Sequence, residues 1–309
     1  MLARKSEMSR SGKLKLLVPI VFVAFLCAYA HHREENKDSN VVGQLRLKSM
    51  NEISGIAASG INPDLYYIHN DSGDTSRFFA ILPTGEVKAT VYFKGDPKER
   101  HGVHDCEDIA VGPGPDAGKS YVYLGDIGDN YAVRKYLAVY RVEERKSWAK
   151  DTITHTTAYP IHLKYPDGPK DAETLMVDPI EKLLYIVSKR QDSVTVYTTP
   201  LIYKTNDTVV LTKRCRLFFP GIKVFRWITA GDISKDGQQV LIKSYNKVYY
   251  WKRQNNEPVW KTVQRPWKLL PYIEEKQGEG IGFTPDGTGY YTCSEGVYTP
   301  IYYYRIPGK

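Results

Sequence analysis

Five carboxylate residues recur along the chain, each at the start of a short apolar run. They are Glu52, Glu107, Glu173, Asp232 and Glu279. Carboxylate oxygens are hard ligands, and a site that gathers several of them in flexible geometry favours Ca²⁺ over softer metals. The chemistry that these residues suggest is therefore the binding of a calcium ion.

Two acidic loops add further oxygen ligands to this set. HNDSGD (69–74) aligns with GDIGDN (125–130), which pairs Asp71 with Asp126, and Glu295 follows a later strand. The predicted metal ligands are Glu52, Asp71, Glu107, Asp126, Glu173, Asp232, Glu279 and Glu295. The alternative is a structural role, because Asp and Gly are common in turns, where the Asp side chain accepts local backbone N–H groups.

Basic side chains near the same strand ends suggest catalysis on an anion. Lys189, Arg190 and Lys243 would stabilise the charge that develops on a phosphate ester beside a cation. His104, in the loop HGVHDC (101–106), would act as a general base, or the His and Cys residues of that loop would hold Zn²⁺. Each of these residues could instead be an ordinary polar surface group.

The elements that must position these residues read as short strands. From Val41 onward, runs of β-branched and aromatic residues are bounded by Gly, Pro, Asn and Asp, and no stretch has sustained helical periodicity. The aliphatic residues of the recurring phrase are spaced by 53, 66, 58 and 48 residues, at Ile56, Ile109, Leu175, Ile233 and Ile281. A repeat of this length indicates a solenoid or a propeller.

Grouping the strands predicts the architecture. They fall into fours, except that the last group ends one strand short, and the strand at 41–47 can supply the missing one. The sequence therefore predicts an all-β fold, a five-bladed β-propeller over residues 41–309 that is closed by its N-terminal strand. A six-bladed ring is the alternative. In a propeller, first-strand starts and second-strand ends meet at one channel mouth, which would gather the carboxylates.

The N-terminus has the pattern of a targeting segment. A basic stretch to Lys15 precedes an apolar run from Leu16 that ends Ala28-Tyr29-Ala30, which predicts a signal peptide over residues 1–30 and secretion. A signal anchor is the alternative, although the run is shorter than the ~20 residues of a spanning helix. Residues 31–40 are predicted to be a flexible polar lead-in.

Charge and cysteine content exclude some classes of function. The formal charge is +8, but half of it lies in residues 1–30 and no basic run follows, so we expect no binding to nucleic acid. Three Cys residues remain after residue 30, too few for a disulfide framework. We expect a monomer without membrane contact after signal removal. Sequons at Asn70 and Asn206 permit glycosylation, with Asn206 the better candidate.

Several phrases resemble those of a known group of proteins. HNDSGD, EDIAVG, GDIGDN, DAETL, GDIS and GEGIGFTPDG resemble the phrases of an uncharacterised, mostly bacterial group of secreted β-propeller proteins, from residue 51 to about 300. This resemblance implies a β-propeller fold but does not assign a reaction. A looser resemblance, through Glu52-x-Ser54 and Glu279-Gly280-Ile281, is to five-bladed calcium-activated apyrases. It implies a calcium ion in a carboxylate-lined channel and hydrolysis of nucleoside diphosphates, although blades three and four depart from that family's pattern.

Two functions follow as hypotheses. In the first, a secreted calcium-binding propeller hydrolyses a phosphate or other ester, and its partner is an anionic small molecule. In the second, a non-catalytic extracellular binding or matrix protein holds a partner on the propeller face. The carboxylates with neighbouring cations make the first hypothesis the preferred one, and the lack of a complete catalytic motif in the sequence supports the second.

Overall fold

The computed structural model describes residues 40–150 and 152–308, and these are almost entirely β-structure. The predicted signal peptide, and the predicted lead-in up to residue 39, lie outside the described residues. The strands in chain order are β1 (Val41–Gln44), β2 (Ile53–Ala58), β3 (Tyr66–Asn70), β4 (Arg77–Ile81), β5 (Val87–Phe93), β6 (Cys106–Pro113), β7 (Ser120–Asp126), β8 (Leu137–Glu143), β9 (Thr152–Thr156), β10 (Ala158–Lys164) and β11 (Ala172–Asp178). They continue as β12 (Leu183–Ser188), β13 (Val194–Pro200), β14 (Thr208–Val210), β15 (Thr212–Leu217), β16 (Ile228–Ile233), β17 (Gln239–Ser244), β18 (Val248–Lys252), β19 (Lys268–Leu270), β20 (Gly278–Phe283), β21 (Gly289–Ser294) and β22 (Pro300–Arg305).

Helical structure is confined to single turns within the described part of the chain. Two 3₁₀ turns lie at Lys146–Ala149 and Lys223–Arg226, and one α-helical turn lies at Val259–Thr262. None of the helices in residues 40–150 and 152–308 has the length and apolar character needed to cross a bilayer.

The strands form five sheets, which are the blades of a propeller. Their strand orders are β2-β3-β4-β5-β9, β6-β7-β8-β10-β14, β11-β12-β13-β15, β16-β17-β18-β19 and β20-β21-β22-β1. The innermost strands β2, β6, β11, β16 and β20 each contact the next, and β20 contacts β2, so the ring closes. The predicted five-bladed propeller, completed by the N-terminal strand, is confirmed, and the described residues contain no sixth blade.

Two blades carry an extra strand that the sequence did not predict. The sequence predicts one fourth strand in each of the segments 156–164 and 209–219. In the structure β9 ends where the first segment begins, and β14 and β15 divide the second. β9 pairs in parallel with β5, and β14 pairs in parallel with β10. In the second and third blades, the segment that leads from the third to the fourth strand thus covers the open edge of the preceding blade, which would otherwise present unpaired backbone groups.

The core lies between the blades. Five clusters of buried apolar side chains form, one at each interface between adjacent blades, as expected for strands whose alternate side chains face opposite neighbours. The first interface contains a fully buried Trp148, whose ring lies edge-on to Tyr67 and Phe78 at 5.8 and 5.4 Å. This packing fixes the five innermost strands around the channel.

Candidate functional site

The same irregularity interrupts all five innermost strands near one mouth of the channel. In the second blade Cys106 pairs with Asp126 and Asp108 with Gly125, so Glu107 is left out of the ladder. The corresponding residues, which we call the bulge ring, are Ser54, Glu107, Glu173, Thr229 and Glu279. A bulge turns an extra side chain away from the regular pleat, and bulges are often found beside functional sites.

A second ring of residues surrounds the first at the same mouth. The second strand of each blade ends at the residue that pairs with the innermost strand just before its bulge. The residue that follows in the chain lies outside the sheet. These next residues, the outer ring, are Asp71, Ile127, Lys189, Tyr245 and Glu295. Strand pairing alone therefore brings predicted residues from distant parts of the chain together at this mouth.

Three glutamates of the bulge ring form a compact cluster. One carboxylate oxygen from each of Glu107, Glu173 and Glu279 lies within 4.8 Å of the other two, and all three residues are buried. We call these residues the inner carboxylate cluster. Glu107 also belongs to a second group, the rim carboxylate cluster, with Asp71 and Asp105 at the same separation. Glu107 thus joins two groups of oxygen ligands.

Two buried oxygens of the bulge ring have no hydrogen-bond partner within the described residues. They are Glu173 Oε2 and Thr229 Oγ1. A buried carboxylate oxygen without a partner costs free energy, and a hard cation would remove that cost. The donor set of the inner carboxylate cluster therefore fits Ca²⁺.

One lysine partly balances the negative charge of the inner carboxylate cluster. Lys189 Nζ forms an ion pair with Glu173 Oε1 and donates to the Tyr245 hydroxyl at 3.2 Å. Tyr245 in turn donates to Glu279 Oε1 at 3.0 Å. A single ammonium group cannot balance three carboxylates, so the deprotonated cluster has an excess of negative charge that a cation would neutralise.

Burial and repulsion between neighbouring carboxylates favour the protonated forms of Glu107, Asp71 and Glu295 in the absence of a cation. Burial first, and then Asp71 and Asp105, raise the pKa of Glu107 well above its usual range. The same two causes, burial and neighbouring carboxylates, raise the pKa of Asp71 to about 8 and that of Glu295 to about 7. A bound divalent cation would compete with these protons.

These raised pKa values predict how stability depends on pH. The folded protein binds protons that the unfolded chain has already released, so the free energy of unfolding should fall as pH rises through the interval that ends near the pKa of about 8 for Asp71. Thermal unfolding in chelator at pH 5, 6, 7 and 8 measures this trend. With saturating Ca²⁺ the fall should be smaller, because the ion requires deprotonated ligands. A stability in chelator that increases from pH 5 to 8 would contradict the assignment.

Asp126, a predicted metal ligand, positions the backbone instead. Its carboxylate accepts the N–H groups of His104 and Asp105 at 3.0 and 3.1 Å and forms an ion pair with Arg134 at 2.7 Å. In the first blade Asn70 occupies the same pairing position. The structural equivalent of Asp126 is therefore Asn70, one residue before the Asp71 that the sequence alignment chose.

Asp232 lies away from the bulge ring. It follows Thr229 by three residues, and its carboxylate accepts the N–H of Phe283 at 2.8 Å, which links the fourth and fifth blades. The sequence placed Ile233 in register with the other aliphatic residues, whereas the strand pairing places Gly231 there. We therefore leave Asp232 out of the site. Glu52 lies at the rim, where Asn51 Nδ2 donates to it at 3.2 Å, and belongs to neither cluster.

The four predicted catalytic residues have different surroundings. Lys189 lies in the outer ring. His104 is exposed and its Nδ1 lies 3.1 Å from Glu99 Oε2, while Arg190 pairs with Asp171 at the rim. Lys243 is fully buried: it donates to the Gly278 carbonyl, and burial lowers its pKa to about 8. Of these four residues, only Lys189 forms an ion pair with the inner carboxylate cluster among the described residues, although the ammonium of Lys243 also interacts electrostatically with Glu279.

Sequence reasoning missed three members of the site. Asp105 precedes Glu107 by two residues, as Asp171 precedes Glu173, so the repeated carboxylate-x-Glu spacing could have found it. Thr229 and Tyr245 had no such signal, because neither residue type recurs at its position in the other blades.

Comparisons with known proteins add little to this geometry. No protein-family model and no curated protein sequence matches the chain. Among solved structures, a luciferin-regenerating enzyme is similar with a TM-score of 0.46 and 10% sequence identity, over 87% of this chain and 95% of that chain. A match this distant does not extend to function.

Proposed function

We propose that the protein is a calcium-binding β-propeller whose inner carboxylate cluster holds the ion. The observation that carries the proposal is the convergence of Glu107, Glu173 and Glu279, with Glu173 Oε2 buried and unpartnered among the described residues. Ca²⁺ takes six to eight oxygen ligands in flexible geometry. Asp71, which reaches Glu107, and water would complete the shell.

We further propose that the ion serves hydrolysis of a phosphate or other anionic ester at this mouth. A bound Ca²⁺ would supply a Lewis acid for the ester oxygen. Lys189 has three N–H donors, of which Glu173 and Tyr245 take two, so one is left to bind an anionic group. The Tyr245 hydroxyl, beside both Lys189 and Glu279, would orient that group.

Calcium titration by calorimetry of chelator-treated protein tests the first part of the proposal. We expect one saturable binding event that Glu173→Gln removes, because the substitution replaces an anionic oxygen of the cluster with an amide. Glu86→Gln is the matched control, since Glu86 pairs with Lys88 on the surface and should leave calcium binding unchanged. Binding that survives Glu173→Gln at full strength would reject the inner carboxylate cluster as the site.

A screen of substrates tests the second part. Nucleoside diphosphates, phytate and p-nitrophenyl esters should be offered with Ca²⁺ and with chelator. We expect turnover of at least one anionic ester, lost in Glu173→Gln and reduced by Lys189→Met. Calcium binding without any turnover would reject hydrolysis and favour the second candidate.

The second candidate is an extracellular binding protein, and exposed apolar side chains near the mouth favour it. Tyr131 and Val133 are 88% and 73% exposed in the segment after β7, and Ile222 is 69% exposed in the segment before β16. β7 ends, and β16 begins, at the carboxylate mouth, so both segments lie on that side. Large apolar groups on one face often mark a protein-binding surface.

Secretion is part of the proposal and rests on the sequence of residues 1–30. Sequencing the N-terminus of the mature protein tests it and separates cleavage from anchoring.

Asn70 is buried and its amide donates to Ser49 O and Asp74 Oδ2 at 2.6 and 2.7 Å. We therefore propose glycosylation at the exposed Asn206 alone.

A further inference from the structure

A separate cavity opens at the other end of the channel. It has a volume of about 340 Å³. Five of its wall residues, one from each blade, follow a bulge-ring residue by four positions: Ala58, Val111, Val177, Ile233 and Phe283. At about 3.3 Å per strand residue, this wall lies roughly 13 Å from the bulge ring. The cavity is thus distinct from the calcium site.

The cavity wall is apolar and of a size suited to a small molecule. Besides the five strand residues, Pro179 and Pro285 contribute to it. The volume lies near the lower end of the roughly 300–1,000 Å³ that is usual for ligand pockets. Asp232 is the only carboxylate among the lining residues, and its oxygens already accept backbone N–H groups.

A lysine side chain reaches across the entrance of this cavity. Lys235, in the turn between β16 and β17 of the fourth blade, donates to the carbonyl of Gly60 in the first blade at 2.9 Å. The first and fourth blades are not neighbours in the ring, so the side chain spans the channel end. Its ammonium has three donors, and the contact with Gly60 uses one.

The remaining charge at the entrance is also positive. Lys182, in the corresponding turn of the third blade, lines the cavity, is exposed, and forms no ion pair within residues 40–150 and 152–308. Lys119 lines it as well, but Asp116 and Glu143 bind its ammonium at 3.3 and 3.0 Å. Among the described residues, the ammonium groups of Lys182 and Lys235 have no ion-pair partner, and both side chains line this apolar cavity.

We propose that this cavity binds a small amphipathic anion, with its apolar body against the strand wall and its anionic group bound by Lys235. Burial of the apolar body provides the driving force. The two free N–H donors of Lys235 provide a charge-assisted contact, and Lys182 adds long-range attraction. A neutral apolar molecule would not use these donors, and a cationic one would be repelled by both lysines.

Calorimetric titration of the full chain with octanoate tests this proposal, and 1-octanol and octylamine serve as comparison ligands. We expect saturable 1:1 binding of octanoate, about tenfold weaker binding of octanol for loss of a charged hydrogen bond, and no binding of octylamine. Octanoate binding should persist in chelator and in Glu173→Gln, which separates it from the calcium site. Absence of saturable octanoate binding, or equal affinities for octanoate and octanol, would overturn the proposal.

Two variants locate the ligand. Lys235→Gln should weaken octanoate about tenfold and leave octanol unchanged, whereas Ala58→Phe should fill the cavity and weaken both. Lys204→Gln, an exposed lysine outside the cavity, is the matched control and should leave octanoate affinity unchanged. If Ala58→Phe does not fold, Lys235→Gln still decides the matter, since its side chain is exposed. Unchanged octanoate affinity in Lys235→Gln would overturn the assignment.

Discussion

Calcium at a hundredfold excess over its dissociation constant should raise the unfolding temperature of the wild-type protein by about 5 °C or more, and should have no such effect on Glu107→Gln. Glu107 is the residue to change because it is the one shared by the inner and rim carboxylate clusters. Without its charge, neither group retains three carboxylates. The measurement is differential scanning calorimetry in chelator and in excess Ca²⁺.

The variant also separates loss of the ligand from loss of the fold. Burial raises the pKa of Glu107 well above its usual range, which favours a protonated carboxyl without calcium, and Gln reproduces that neutral, hydrogen-bonding form. The unfolding temperature in chelator should therefore stay close to that of the wild type. Glu86→Gln, which changes a surface carboxylate paired with Lys88, should keep the full calcium response. An equal calcium response in Glu107→Gln would refute the site.

The number of blades was predictable because residues typical of turns occur between the strands. Gly85, Gly237 and Gly287 adopt positive φ values of 81°, 72° and 66°, a conformation that Gly adopts without strain. Each lies where the sequence indicates a reversal between strands. No local sequence signal predicts that β9 and β14 pair in parallel with the preceding blade. That pairing depends on which sheet edge is left open after the blades have assembled.

The register within the blades was less predictable. Strand side chains alternate with a period of two, so a shift of two residues leaves the inward and outward pattern intact. This is why the fourth blade could be aligned on Ile233 although the pairing aligns Gly231. The shift moved Asp232 into the predicted site and left Thr229 out. A bulge has no sequence signature of its own, so the ring of bulged residues emerged only from the pairing.

The similarity of the two acidic loops in sequence led to a wrong structural alignment of Asp71 with Asp126. Asp71 and Asp126 have similar neighbours in sequence, yet only Asp71 leaves the sheet toward the mouth, while Asp126 accepts two backbone N–H groups of the segment that precedes Glu107. An Asp that fixes a loop and an Asp that faces a channel are the same residue type, so the sequence does not distinguish them. Their hydrogen-bond partners distinguish them.

The largest loss of stability should come from a buried ion pair between the third and fourth blades. The guanidinium of Arg253 binds both carboxylate oxygens of Asp178 at 2.9 Å, and both side chains are 0% exposed. Arg253 also donates to the carbonyl of Gly237 at 3.0 Å and forms a longer ion pair with Glu181 at 3.3 Å. We expect Asp178→Asn to lower the free energy of unfolding by about 3–5 kcal/mol, because it removes the bidentate partner of a buried guanidinium and leaves only the longer ion pair with Glu181. Chemical denaturation at fixed calcium concentration measures this loss.

Two comparisons show that the loss arises from an uncompensated charge. Removing both charges in Asp178→Asn with Arg253→Met should cost less than Asp178→Asn alone, since the buried bidentate pair is then replaced by uncharged groups. Glu181 loses its ion pair with Arg253 but keeps hydrogen bonds from Tyr185 and Val259. Glu143→Gln breaks the surface pair with Lys119, whose side chain is 47% exposed, and should cost at most about 1 kcal/mol. If Asp178→Asn were no more destabilising than Glu143→Gln, the pair would not hold the third and fourth blades together. The orientation of Glu173 and Thr229, which come from these two blades, would then depend on apolar packing alone.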